Sequence, residues 1–178
     1  MKKHNLTKMI LAALFLALAY VMPFLTGQIA EIGSMLCPLH IPVLICGFIC
    51  GWQWGLTVGF IAPLFRSFTL GMPPIFPASV AMAFELAAYG LVAGLMHKIL
   101  PQKKPYIYVS LITAMIIGRI VWGVAMCICM GIKDIPFTFM AFISGAFINA
   151  IPGIIVQILL IPIVVMLAQN KNILQIEE

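Results

Sequence analysis

Charge is what this sequence has least of. Only 8% of its 178 residues are charged, ten Lys and Arg against five Asp and Glu, whereas an ordinary soluble domain carries about 25%. That scarcity argues against a water-soluble enzyme, a nucleic-acid-binding protein and a disordered tail. A Gly-x4-Gly-Lys-Ser/Thr loop is also missing, so the chain does not hydrolyse ATP by that route and any energy must come from elsewhere. No Cys-x2-Cys pair occurs. Cys37, Cys46, Cys50, Cys127 and Cys129 lie in apolar runs with His40 as the only nearby histidine, which reads as small hydrophobes and predicts no metal site and no cofactor. None of His4, His40 and His97 has a nucleophile or acid partner at useful spacing, so no catalytic residue is assigned and the chain is read as a non-enzyme.

What the chain does have is apolar sequence, 63% of it, with a mean hydropathy of +1.16. At roughly 20 residues per spanning helix, this length allows about six spans and leaves nothing over for an extramembrane domain. The expected fold is therefore an all-α integral membrane bundle of six transmembrane helices, one domain over residues 1–178. Helices are expected near 9–26, 37–51, 55–70, 78–99, 106–130 and 144–168. The uncharged run from Met9 to Ala30 is too long for a signal peptide and reads as an uncleaved first helix. Gly51-Trp52-Gln53-Trp54-Gly55 reads as a turn with interfacial aromatics. Gly71-Met72-Pro73-Pro74-Ile75-Phe76-Pro77 cannot continue a helix, because three prolines lack the backbone donor.

The net charge of +5 comes from lysines whose positions orient these spans. Lys2, Lys3 and Lys8 precede the first helix, and Lys98, Lys103 and Lys104 flank the connection between the fourth and fifth. A six-span path puts both groups on one side, and the positive-inside rule makes that side, with both termini, cytoplasmic. The segment Thr26–Ser34, which includes Glu31, and the segment Met72-Pro73-Pro74 then face outward. They are candidate gating loops, or simple connecting turns.

Ionisable residues inside a span are costly and mark function by default. Glu85 lies 12 residues before His97 and Arg119 lies 14 after Pro105, so at ~1.5 Å per residue both sit about 20 Å from the cytoplasmic boundary. Either they pair with each other and fix helix register, or they line a pocket whose ligand completes their hydrogen bonds; a pair beside a pocket would do both. Arg66, near the outer end of the third helix, is either an interfacial anchor or a partner for a substrate carboxylate. Gly145, Asn149, Gly153 and Gln157 recur at intervals of four along the expected sixth helix, where small residues allow close approach and amides offer bonds across it. Pro152 within that stripe, and Pro162 beyond it, are expected to kink the helix and free carbonyl groups. Trp122, one turn from Arg119, is a candidate pocket wall.

Four stretches carry a family likeness: Leu36-Cys37-Pro38-Leu39-His40-Ile41-Pro42; Gly71-Met72-Pro73-Pro74 running on to Glu85 and Tyr89-Gly90; Gly118-Arg119-Ile120-Val121-Trp122-Gly123; and Phe147-Ile148-Asn149-Ala150-Ile151-Pro152-Gly153. With the size, the six expected spans and the missing ATPase, the chain resembles the substrate-binding S components of energy-coupling factor (ECF) vitamin transporters over nearly its whole length. The resemblance implies a protein of the cell membrane that captures a vitamin from outside. It would deliver the vitamin inward together with a transmembrane coupling subunit and two cytoplasmic ATPases, its partners being these, the vitamin and the lipid bilayer. It also implies that small residues on the first helix in an Ala-x3-Ala pattern meet the coupling subunit, a pattern that Ala13 and Ala17 match; two alanines one turn apart leave a groove for another helix. Within the family, the sequence is most similar to members assigned to pantothenate or related small vitamins. Pantothenate would suit an arginine with Asn149 and Gln157, whereas Glu85 equally allows a pyridoxine-type vitamin, and folate or a queuosine precursor stay open. A structural membrane subunit or small channel, with Glu85 and Arg119 as a packing pair only, is the alternative of another class.

Overall fold

A computed structural model describes residues 3–26, 33, 35–101 and 103–170. Among the described residues there are seven α-helices and no strand. Helix α1 spans Lys3–Val21 and tightens into a 3-10 turn over Met22–Thr26. Helices α2 (His40–Cys50) and α3 (Trp52–Leu70) follow. A wide turn at Ile75–Ser79 leads into α4 (Val80–Ile99), and α5 spans Lys104–Ile132. A short α6 (Phe139–Ile143) passes through another wide turn, Ser144–Ile148, into α7 (Ile151–Asn170).

Among the described residues, four helical segments are long and apolar enough to cross a membrane: Asn5–Phe24, Ile75–Ile99, Lys104–Ile132 and Ile151–Gln169. Helix α3 has the length, 19 residues, but carries Gln53 and Arg66 within it. Helix α2 has only 11 residues, about 16 Å of rise against a hydrocarbon core of ~30 Å. It begins later than the expected residue 37 because Cys37 adopts a left-handed φ of 47° just before Pro38, and both features interrupt a helix.

Two further expectations are corrected. The turn placed over residues 51–55 is made by Gly51 alone, at φ 92°, and α3 starts at Trp52 rather than 55. The helix expected over 144–168 is broken at Asn149 and Ala150, and α7 starts at Ile151. Pro152 accordingly lies in a first turn, where its missing N–H is one the helix would leave unpaired anyway, and it kinks nothing. The stripe of Gly145, Asn149, Gly153 and Gln157 is thereby divided between a turn and a helix.

Helix α4 is central, packing against α2, α3 and α5. Five glycines permit this. A Cβ on Gly47 would lie 2.6 Å from the Gly90 carbonyl oxygen, and one on Gly55 would lie 2.7 Å from both that oxygen and the Gly47 Cα. Gly59 meets the Leu86 backbone and Gly94 the Trp52 backbone at similarly close range. The crossing of α2, α3 and α4 is thus backbone against backbone, which only Gly allows. Gly55, which the sequence offered as a turn residue, serves the packing instead. Around the crossing lies a core of Leu44, Leu86, Tyr89, Ile107, Leu111 and Ile161, all buried.

The two ends of the bundle differ in chemistry. At one, Lys8 of α1 and Lys98 of α4 line a common cavity beside the α2–α3 junction. At the other, Arg66 donates from Nη1 to the Tyr20 carbonyl at 3.1 Å with its guanidinium over the Phe24 ring, and Lys133 sits over Phe76.

Candidate substrate site

Glu85 on α4 and Arg119 on α5 meet inside the bundle. Arg119 Nη1 lies 2.9 Å from Glu85 Oε1, and both residues are buried, 5% and 2% exposed. Helices α4 and α5 run as an antiparallel pair out of the 100–105 connection, so equal distances from that connection bring the two side chains to one level. Gly118, just before Arg119, helps the approach: a Cβ there would press on the Tyr89 ring at 3.1 Å.

The pair has company that sequence reasoning missed. His40, at the start of α2, places Nε2 3.4 Å from the same Glu85 oxygen, and its ring meets the Tyr89 edge at a centroid distance of 5.1 Å. Arg119 Nη2 donates to Cys37 Sγ at 3.7 Å. The break at Cys37 and Pro38 thus turns a cysteine and a histidine toward the charge pair. His40 was legible as an ionisable side chain in a stretch otherwise without charge from Ile32 to Phe65, the same criterion that singles out Glu85. Tyr89, one turn after Glu85, carried no signal beyond its place in a family-like stretch.

Several buried polar atoms are left without hydrogen-bond partners. A guanidinium presents five N–H donors, and here it meets one carboxylate oxygen and a sulfur, a weak acceptor. His40 Nδ1 has no hydrogen-bond partner. Gln157 on α7 is fully buried with neither amide atom partnered. It lies one turn beyond Gly153, whose missing Cβ lets α7 rest on the Met35 and Leu36 backbone, 2.7 and 2.8 Å from where that Cβ would sit. Buried polar groups normally find partners, so an enclosed amide without any is an opening for a ligand with both donor and acceptor.

The other candidates have surroundings of their own. Arg66 is committed to Tyr20 and Phe24 at the bundle end; Pro23 lacks the N–H that a 3-10 bond to the Tyr20 carbonyl would need, and the guanidinium supplies a donor. Trp122 packs on Phe137 and stacks on Phe142 with centroids 6.1 and 6.3 Å away, and Gly145 clears room for its ring. Asn149 is exposed. Met72 is exposed too, while the turn beside it is tied down: Ser67 donates to the Pro73 carbonyl at 2.5 Å, and the Ser79 N–H to that of Pro74 at 3.0 Å. Glu31 lies outside the described residues. Ala13 and Ala17 are exposed on α1, whereas Ala12, Phe15 and Ala19 face the core.

A buried ion pair and an unpartnered amide within a bundle of apolar helices is an arrangement suited to holding a small polar solute. The model of the ECF transporter substrate-specific component matches residues 7–165. The chain belongs to that family. No curated protein matches the chain, and no solved structure does. As an ECF substrate-specific component with several membrane-length apolar helices, it is a multi-pass membrane protein of solute transport. The family is a class of transporter components, not of enzymes.

One prediction follows from Gln157. Gln157→Leu replaces an amide without partners by an apolar group of similar size, so thermal stability without ligand is expected to rise, by about 1–3 kcal/mol, while affinity for the transported solute falls. Thermal unfolding in detergent with and without solute reads both effects. A variant destabilised without ligand would mean that the amide has a protein partner.

Proposed function

We propose that this ECF component captures a small vitamin from outside, with Glu85, Arg119, His40 and Gln157 as the polar contacts of its substrate site. The observation that carries this reading is the buried Glu85–Arg119 pair, two ionisable side chains held within apolar helices with the unpartnered Nδ1 of His40 beside them. Pantothenate is the first candidate: its carboxylate, hydroxyl and amide groups complement Arg119 and Gln157. A pyridoxine-type vitamin is the second, because Glu85 and His40 offer acceptors to a ring that bears donors.

In this reading α1 to α5 and α7 cross the membrane, six spans in all, with both termini cytoplasmic. Lys8 and Lys98 at one end of the bundle support it, because the positive-inside rule makes that end cytoplasmic. The site is then reached from the opposite end, where Met72, Pro73 and Pro74 form part of the rim. The short α2 is accommodated by its place inside the bundle, nearly every residue of it buried, so that its ends meet protein rather than lipid.

The same chain has no motor, and the reading assigns that to a coupling subunit with two ATPases. Exposed Ala13 and Ala17 on the outward face of α1 support the assigned docking groove. Ala13→Trp with Ala17→Trp is expected to leave vitamin binding intact and to abolish both association with the coupling subunit and ATP-dependent uptake in proteoliposomes. Unimpaired association would remove α1 as the docking helix, and uptake that needed no coupling module would contradict the division of labour.

A further inference from the structure

The lysine end of the bundle holds a second enclosure, remote from the Glu85 cluster. The start of α1, the α2–α3 junction and the end of α4 surround a cavity of about 130 Å³. Lys8, Lys98, Asn5 and Trp52 are among its lining residues, and no carboxylate is. Lysine offers three donors and no acceptor, and an indole offers a donor alone. The cavity is therefore cationic and rich in donors. It shares Asn5, Gln53 and Trp54 with an adjoining cleft of about 320 Å³ that continues along the α1–α3 seam past Met9 and Thr57. Thr57 turns its hydroxyl to the Gln53 carbonyl at 2.8 Å, which leaves its methyl as the other feature of that wall. A cationic compartment thus opens into one where a thioether, an indole and a methyl group stand beside the amides of Asn5 and Gln53.

A cationic cavity that continues into a partly apolar cleft fits an amphiphile with a negative head. We propose that this site binds a phospholipid with a net negative headgroup, its phosphate held by Lys8 and Lys98 and one acyl chain lying along Met9, Trp54 and Thr57. The charges and the tryptophans stand at the ends of membrane-length helices, the depth at which lipid headgroups lie. Lipid held there braces α1 against α3 and α4 from the cytoplasmic side, independently of which vitamin occupies the other site.

The test is native mass spectrometry of the full chain, titrated with phosphatidylglycerol and with phosphatidylcholine of the same chains. The wild type is expected to retain one phosphatidylglycerol in preference to phosphatidylcholine, and Lys8→Gln with Lys98→Gln to bind it roughly 30-fold more weakly. Lys8→Arg with Lys98→Arg keeps both charges and is expected to bind as the wild type does, which separates lost charge from lost folding. Equal binding of both lipids by the wild type, undiminished phosphatidylglycerol binding in the Gln variant, or failure of the Arg variant overturns the proposal. Inorganic phosphate is the remaining arm: displacement of the lipid by millimolar phosphate would overturn the lipid assignment in favour of a free-anion site.

Discussion

Arg119→Met is expected to destabilise the protein by about 3–5 kcal/mol and to abolish solute binding. Glu85 is 2% exposed, so removing its guanidinium partner leaves a carboxylate that water cannot reach, with His40 Nε2 at 3.4 Å as its remaining polar neighbour. A buried charge without a partner costs far more than the net worth of the pair, because the pair's own attraction is largely offset by desolvation. The double variant, Glu85→Gln with Arg119→Met, is therefore expected to recover most of the lost stability. It is not expected to recover binding, since the donors that a ligand would use are gone. Thermal unfolding and calorimetry on the two variants separate a packing pair from a substrate site. If the double variant bound solute as the wild type does, Glu85 and Arg119 would serve only helix register.

Gly90→Ala is the second large effect, and its sign decides between two physical terms. In an open helix, Ala is more favourable than Gly by about 1 kcal/mol. At residue 90 the added Cβ would run into the Gly55 backbone, which, unlike a flexible side chain, cannot turn aside, so α3 and α4 would have to separate. Overpacking of this kind costs about 1–3 kcal/mol, and more where the neighbour is rigid. The expected outcome is a destabilisation at or above the top of that range, with α2 affected too because Gly47 meets the Gly90 carbonyl. Gly131→Ala is the control: nothing lies within 4 Å of a Cβ there, and it is expected to be neutral or slightly stabilising. Equal effects of the two substitutions would show that the α2–α3–α4 crossing is looser than its backbone contacts imply.

The depth of Glu85 and Arg119 was legible because both stand on uninterrupted helices that leave a single polar connection, so counting residues from that connection was enough to level them. The meeting of Lys8 and Lys98 at one end was legible for a similar reason, since it depends on span order alone. His40 and Cys37 were not placed, because their approach to Glu85 depends on a left-handed residue before Pro38 and on α2 lying against α4, a long-range pairing with no local mark. The glycine crossing went unread although Gly55 and Gly59, and Gly90 and Gly94, each stand four apart. A small residue in a helix signals close approach without saying what approaches. At Pro152 the error was of another kind: the same residue is a kink inside a helix and harmless in its first turn, and the apolar run around it did not show where the helix began.

The central claim, that this ECF component itself holds the solute, is tested most directly by titrating the purified wild-type chain, without coupling subunit or ATPases, with a panel of vitamins and their precursors in a calorimeter. The account predicts saturable one-to-one binding of one member of the panel, with pantothenate first in order of expectation and pyridoxine-type vitamins second, and loss of that signal in Arg119→Met with Glu85→Gln. A well-folded wild-type chain that binds no member of the panel would contradict it.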